Sequence, residues 1–257
     1  TNYPARYREN FIKWIFDACS TYSDLRKNIL NTSIDSNKFA TFEIKDGYRI
    51  QESSNLEEAK KRNESAHSRV VGIAIETRPD LINGEVIKDL RKMWITRVEI
   101  GYQTTNDEIN ILNKRWHTNT ESILATRLLK DAWFKVVAHM MPNLLGSSPK
   151  MDLASLGEIF NNPDFRPDEL KIYPTVVTAH SELEQIWKNG WFKAYSDEVL
   201  VDLMARMQAV IPEYIRLNRM YRDIPATEIL EWSKMANLRQ VTEEKMKQLN
   251  LVKKDIS

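Results

Sequence analysis

Between residues 70 and 219 the chain alternates short, strand-length apolar runs with amphipathic helical stretches, and this alternation narrows the available folds more than any other feature. Strands are predicted at about 70–76, 96–101, 135–141, 169–174 and 214–219, and helices at about 84–93, 105–114, 119–132, 152–160, 181–189 and 196–210. Repeated strand–helix units require a parallel sheet joined by right-handed crossovers, whether the sheet stays open or closes into a barrel. The fold class is therefore α/β. The run RVVGIAIE, 69–76, is almost continuously apolar and lies between helices, the pattern of a parallel strand covered on both faces. Thr118-Asn119-Thr120-Glu121 has the spacing of a capping box at the start of the helix at 119.

The flanks read differently. Tyr7, Phe11, Ile12, Ile15 and Phe16 recur at helical spacing and predict one apolar helix face. Residues 21–54 lose that period and contain KFATFEIKDGYRIQ, two alternating segments around Asp46-Gly47 that predict a hairpin. A charged helix is expected over 55–66, and TEEKMKQLNLVKKDIS at the end reads as a polar helix and tail, closer to a linker than to a core element. The domain reading is one unit over 1–235, with 21–54 a less regular insertion, followed by a linker-like 236–257.

Two helix-to-strand junctions carry tryptophan, in LRKMWITRVEIGYQ (90–103) and LLKDAWFKVVAHMM (128–141). A helix usually leaves such a junction through a left-handed residue, most often glycine. Glycine is scarce here, with 7 residues where average usage gives roughly 18 for this length, while tryptophan also numbers 7.

Bulk properties exclude several classes. A formal net charge of +1 gives no global field for capturing nucleic acid, although a local basic patch stays open. No apolar run reaches the roughly 18 residues of a membrane span, and the N-terminus has no secretory pattern, so the expected compartment is the cytoplasm. The single cysteine, Cys19, excludes an internal disulfide framework and an all-cysteine metal site made by this chain alone, and its helical setting reads as structural and buried. No G-x-G-x-x-G, P-loop or H-E-x-x-H is present, and His67, His117, His139 and His180 are scattered.

The remaining candidates lie at strand ends. Parallel α/β folds bind ligands at the carboxyl ends of their strands. Glu76 ends VVGIAIE, Gln103 follows RVEIGY, His139 interrupts KVVAHMM, and Lys171 and Tyr173 lie in ELKIYPT. A carboxylate such as Glu76 accepts from a ribose or an amino group, Gln103 both donates and accepts, and Arg115 has the fork that clamps a carboxylate. Together they suit a small amino-acid-bearing nucleoside.

Six segments in order carry a closer resemblance: IETRPD (75–80), TRVEIGYQT (96–104), FKVVAHMMPNL (134–144), FNNPDFRPDELKIYPT (160–175), YSDEVLVDL (195–203) and IRLNRMYRDIPA (215–226). They resemble the radical S-adenosylmethionine (SAM) domain of the Elongator catalytic subunit family, which modifies wobble uridine 34 of tRNA. More distantly, IETRP and EIGYQT look like segments of oxygen-independent coproporphyrinogen oxidases. The resemblance implies a partial (βα) barrel with parallel strands and outer helices. It implies that Glu76, Gln103 and Arg115 hold the ribose and methionyl groups of SAM, with His139 and Tyr173 in the same site, and that Arg216, Arg219 and Arg222 meet tRNA phosphates. It further implies a 4Fe–4S cluster that reduces SAM to a 5′-deoxyadenosyl radical, hydrogen abstraction from the methyl of acetyl-CoA, and addition of the carbon radical to C5 of the uridine.

This chain departs from the family at two points. The family's three cluster cysteines and its glycine-rich GGT segment precede the region matched by Thr1, and its acetyltransferase domain follows the barrel, so the chain is expected to be a fragment or a degenerate relative that binds no cluster by itself. Two functions stay open: part of a tRNA-modifying enzyme, or a non-catalytic tRNA-binding or interaction module that keeps the barrel. In addition, Trp94, Trp116, Trp133 and Trp232 stand where the family has glycine, as expected if UGA encodes glycine in the source and is read here as tryptophan.

Overall fold

The computed structural model describes residues 3–30, 50–220, 228–231 and 237–255. The hairpin predicted around Asp46-Gly47, as well as Arg222 and Trp232, lies outside the described residues. Contacts divide the chain into two compact units, Thr1–Ile73 with Lys88–Ile95 and Ala74–Ile87 with Thr96–Ser257.

The first unit is helical. α1, Ala5–Leu30, runs on into the stretch expected to be irregular, and α2, Leu56–Glu64, is capped by Asn55, whose side chain accepts from the Glu58 amide. Ile12 and Phe16 are buried on α1, but Tyr7 and Phe11 are exposed and stack along its surface at 6.4 Å. The expected apolar face therefore splits into two rows. Spacing alone did not separate them because Asp17, one residue past Phe16, is also buried, and its carboxylate accepts from Lys13 Nζ at 3.1 Å, from the Ser53 amide at 3.1 Å and from Ser53 Oγ at 2.5 Å. Cys19 is half-buried in mid-helix, not sequestered at a helix end.

The second unit is built on a sheet. Its strands are β1 (Ala74–Thr77), β2 (Arg97–Gln103), β3 (Lys135–Met140), β4 (Glu169–Ile172), β5 (Val177–Thr178), β6 (Arg216–Arg219) and β7 (Ile229–Glu231). Between them run α3 (Gly84–Lys92, whose last turns belong to the first unit), α4 (Asp107–Leu112), α5 (Asn119–Asp131), α6 (Pro149–Asn161), α7 (Glu182–Lys188) and α8 (Asp197–Val210). β1, β2, β3, β4 and β6 pair in that order, all parallel, while β5 and β7 form a separate antiparallel pair. An order that never reverses sends every right-handed crossover to the same side, which leaves the opposite face to curl inward as part of a (βα) barrel.

β3 is buried on both faces from Val136 to Met140, while β2 largely alternates. Val98, Ile100, Tyr102, Val136, Ala138, Met140, Leu170 and Ile172 are buried on the helix-facing side, where the Tyr102 hydroxyl bonds Thr126 of α5 and its ring meets Phe165 edge-on at 5.4 Å. The intervening positions bring Arg97, Glu99, Gly101, Gln103, Val137, His139, Glu169 and Lys171 to the other face. The reading of RVVGIAIE as covered on both faces is wrong. Residues 70–73 are not in the strand and Val71 is 94% exposed, and among the described residues β1 pairs with β2 alone.

Helix ends explain the tryptophans. α3 closes with Trp94 N–H donating to Arg91 O at 3.0 Å and Ile95 N–H to Leu90 O at 3.1 Å; α5 closes with Trp133 N–H to Lys130 O at 2.9 Å and Phe134 N–H to Leu129 O at 3.0 Å. This is the Schellman arrangement, which requires the residue just past the helix to be left-handed. Trp94 and Trp133 have φ of 57° and 63°. Position 116 differs: the left-handed residue after α4 is Lys114, with φ of 53°, so the backbone does not call for glycine at Trp116. The C-terminal segment is also not linker-like. α9, Leu238–Gln248, packs on α8 and buries Leu238, Thr242 and Met246.

Candidate functional site

Glu76, His139, Lys171 and Tyr173, toward the carboxyl ends of β1, β3 and β4, converge with Glu99, the third residue of β2. Register places Glu76 beside Glu99, Gly101 beside His139, and His139 beside Lys171. His139 lies between two carboxylates: Nε2 is 2.8 Å from Glu99 Oε2 and Nδ1 is 3.4 Å from Glu76 Oε1. Lys171 Nζ donates to the same Glu99 oxygen at 2.5 Å. The Tyr173 ring meets the imidazole edge-on at 5.4 Å. Sequence reasoning placed Glu76, His139 and Tyr173 here, and the structure brings them together.

The electrostatics follow from that geometry. Carboxylates only accept hydrogen bonds, so a carboxylate facing each ring nitrogen favours the doubly protonated, imidazolium form of His139. Burial opposes the charge, but the bonds to Glu76 and Glu99 outweigh it and raise the imidazole above its usual value. Burial likewise pushes Glu99 up, but His139 and Lys171 outweigh it and bring the carboxyl down to about 2. Sequence reasoning missed Glu99 as a site residue. The alternation R-V-E-I-G in β2 was the available signal, since it puts a carboxylate on the face that carries His139.

Gln103 ends β2 in a strained conformation. It has φ of 70°, and the pairing with β3 shifts register between Gly101 and Gln103. The Gln103 side chain folds back over Gly101, where a Cβ would lie 2.3 Å from its Nε2. Its Oε1 is buried and has no hydrogen-bond partner. Arg115 is fixed by the helix ending of α4, its amide donating to Asn110 O at 2.8 Å, and its guanidinium reaches Met141 Sδ at 3.3 Å. The Met141 amide in turn donates to Gln103 O at 2.8 Å, which puts Arg115 beside the end of β2.

Glu76, Glu99 and His139 offer three ligand atoms within 4.8 Å of one another, spacing that would admit a metal ion. With His139 protonated and the Lys171 ammonium on Glu99, the group is a charge-balanced cluster. SAM fits the residues present. The orphaned Gln103 Oε1 and the Glu76 carboxylate accept from hydroxyl or ammonium groups, and Arg115 complements a carboxylate. A 4Fe–4S cluster does not fit this chain. Such clusters are held by cysteine thiolates, and the sequence has Cys19 alone, on α1 in the other unit.

Of the arginines expected to meet RNA, Arg216 and Arg219 lie on β6, with Arg216 paired in register to Glu169 and Arg219 to Lys171, and both are exposed. Among the described residues no helix is long and apolar enough to cross a membrane.

Comparison with known proteins gives consistent matches. Residues 46–155 match the Radical SAM superfamily and residues 167–254 match the Radical SAM C-terminal domain. The tRNA uridine(34) acetyltransferase of Methanocaldococcus infernus is 45% identical over 193 residues, which cover 75% of this chain and 36% of that protein. Elongator complex protein 3 of Homo sapiens is 34% identical over 253 residues, 98% of this chain and 41% of its own length. Among solved structures, the archaeal Methanocaldococcus infernus Elp3 with an N-terminal deletion superposes with a TM-score of 0.85 at 37% identity, covering 99% of this chain and 53% of that one. This chain thus spans well under half the length of the two curated relatives.

Proposed function

The chain belongs to the radical SAM domain of the Elongator catalytic subunit family, and on that premise we propose that it forms the SAM-binding part of an enzyme that modifies C5 of wobble uridine 34 in tRNA, in the cytoplasm, with acetyl-CoA as acyl source. Membership implies SAM and a 4Fe–4S cluster. The observation that carries the reading is the unpartnered, buried Gln103 Oε1 held beside Gly101 at the end of β2, next to Arg115 and across the sheet from Glu76. Bound SAM, given one electron from a 4Fe–4S cluster, would supply hydrogen-abstracting chemistry. The side chains do the rest: Glu76 and Gln103 accept from the ribose and amino groups, Arg115 holds the carboxylate, and the aromatic edge of Tyr173 helps keep water from His139. Arg216, Arg219 and Arg222 contact tRNA phosphates.

Titration calorimetry with S-adenosylhomocysteine, which needs no cluster, tests the site. The wild-type chain is expected to bind. Gly101→Ala, which forces the Gln103 amide out of place, is expected to weaken binding by about tenfold or more while the thermal midpoint falls little. A folded wild-type chain that binds neither SAM nor S-adenosylhomocysteine would sink the proposal.

The single cysteine supports a second reading, a tRNA-binding module without chemistry of its own. Charge reversal at Arg216 and Arg219 separates tRNA binding from cofactor binding. It should lower tRNA affinity and flatten its salt dependence without affecting S-adenosylhomocysteine.

A further inference from the structure

Lys171, Glu99, His139 and Glu76 form a continuous line of alternating charge across four parallel strands, β4, β2, β3 and β1, with successive separations of 2.5, 2.8 and 3.4 Å. Its inner members are shielded, His139 being 2% exposed, whereas Glu76 at the far end keeps a side chain that is 62% exposed. Buried ion pairs seldom add net stability, because the desolvation of each charge offsets the attraction. Stability alone therefore gives little reason to line the sheet with four charges. The line ends on the exposed carboxylate of Glu76.

We propose that Glu99 and Lys171 are positioning residues for the nucleoside site: together they hold His139 so that the imidazole aims the Glu76 carboxylate at the ligand. This rests on the reading of Glu76 as a ligand-binding group. Lys171 fixes the Glu99 oxygen that His139 uses, since both donate to Oε2. Glu99 sets the ring plane through Nε2, which leaves Nδ1 directed at Glu76 Oε1. The contact with His139 restrains the Glu76 carboxylate before the ligand arrives, and the ordering cost at binding falls. Among the described residues, the charged and titratable groups facing His139 are Glu76 on β1, Glu99 on β2, and Lys171 with Tyr173 at β4.

Two measurements on the full chain test this. The first is the His139 imidazole titration by NMR. Glu99→Gln should lower its midpoint by about one pH unit or more, and Lys171→Met, which removes a nearby cation, should raise it. The second is S-adenosylhomocysteine affinity near neutral pH. Glu99→Gln should weaken it by about tenfold in the wild-type background, and by less than about twofold once Glu76→Gln is present. Equal losses in both backgrounds, or no loss in the first, would overturn the proposal. If Glu99→Gln does not fold, Lys171→Met carries the same cycle against Glu76→Gln with a smaller loss in the same direction. If the wild type does not bind at all, the nucleoside reading fails separately, and a His139 midpoint unmoved by Glu99→Gln or by Glu76→Gln overturns the line of contacts as well.

Discussion

At the scale of single residues, two tryptophans sit in backbone made for glycine. A bulky residue in the left-handed region costs roughly 1–2 kcal/mol. Trp133 is 88% exposed and recovers little of that by packing, so Trp133→Gly should raise chemical stability by about 1 kcal/mol, measured as a shift in denaturant midpoint. Trp94 is different. Its ring meets Phe16 edge-on at 5.8 Å and lies 5.0 Å beneath the Lys60 ammonium, contacts that a glycine would lose, so Trp94→Gly should gain less. Mass spectrometry of the protein from its source is expected to find glycine at 133, and a tryptophan-containing peptide there would refute the recoded codon. His139 gives a pH signature at the same scale. Its folded value is raised, so its contribution to stability is complete below the unfolded imidazole value, about 6.5, and is lost as pH rises through the folded value. Denaturation midpoints followed upward from pH 6 should show that loss in the wild type and a smaller one in Glu99→Gln.

At the scale of elements, helix ends and one buried carboxylate decide where the site residues stand. The Schellman ending after α4 fixes Arg115, and the same ending recurs after α7, with Gly190 at φ of 76°. The loop after β3 is held by Asp152 of α6, which accepts from the Asn143 amide at 2.8 Å, from Ser147 Oγ at 2.5 Å and from the Tyr195 hydroxyl at 2.8 Å. Asp152→Ala leaves those donors without their acceptor and should cost about 3 kcal/mol in urea unfolding. The periodicities of α3 to α8 and of β2 to β4 were legible in the sequence to within a few residues, because 3.6- and 2-residue repeats follow directly from side-chain placement. Two elements were misread for a common reason. The first half of RVVGIAIE and the tail at 238–248 carry composition that suits either a buried or an exposed segment, and only neighbours decide which.

At the scale of the whole molecule, the number of cysteines bounds the chemistry. The chain as given is expected to take up fewer than four irons after anaerobic reconstitution, assayed by iron content, and four irons per chain would contradict the ligand argument. The parallel sheet and its unreversed order put Glu76, Glu99, Gln103, His139 and Lys171 on one set of adjacent strands, with Arg115 and Tyr173 joining them from the flanking loops.

By itself, the sequence determined the α/β class, the order of elements, the helix junctions that need a left-handed residue, and Glu76, Gln103, His139 and Tyr173 as strand-end groups, since each depends on local spacing. Tertiary structure decided the rest. It brought Glu99 to His139 across 40 residues and Lys171 to Glu99 across 72, left Gln103 Oε1 without a partner, and split the aromatic face of α1 into buried and exposed rows. Those outcomes depend on strand register and on what packs against each side, and neither is encoded in the period of any one segment.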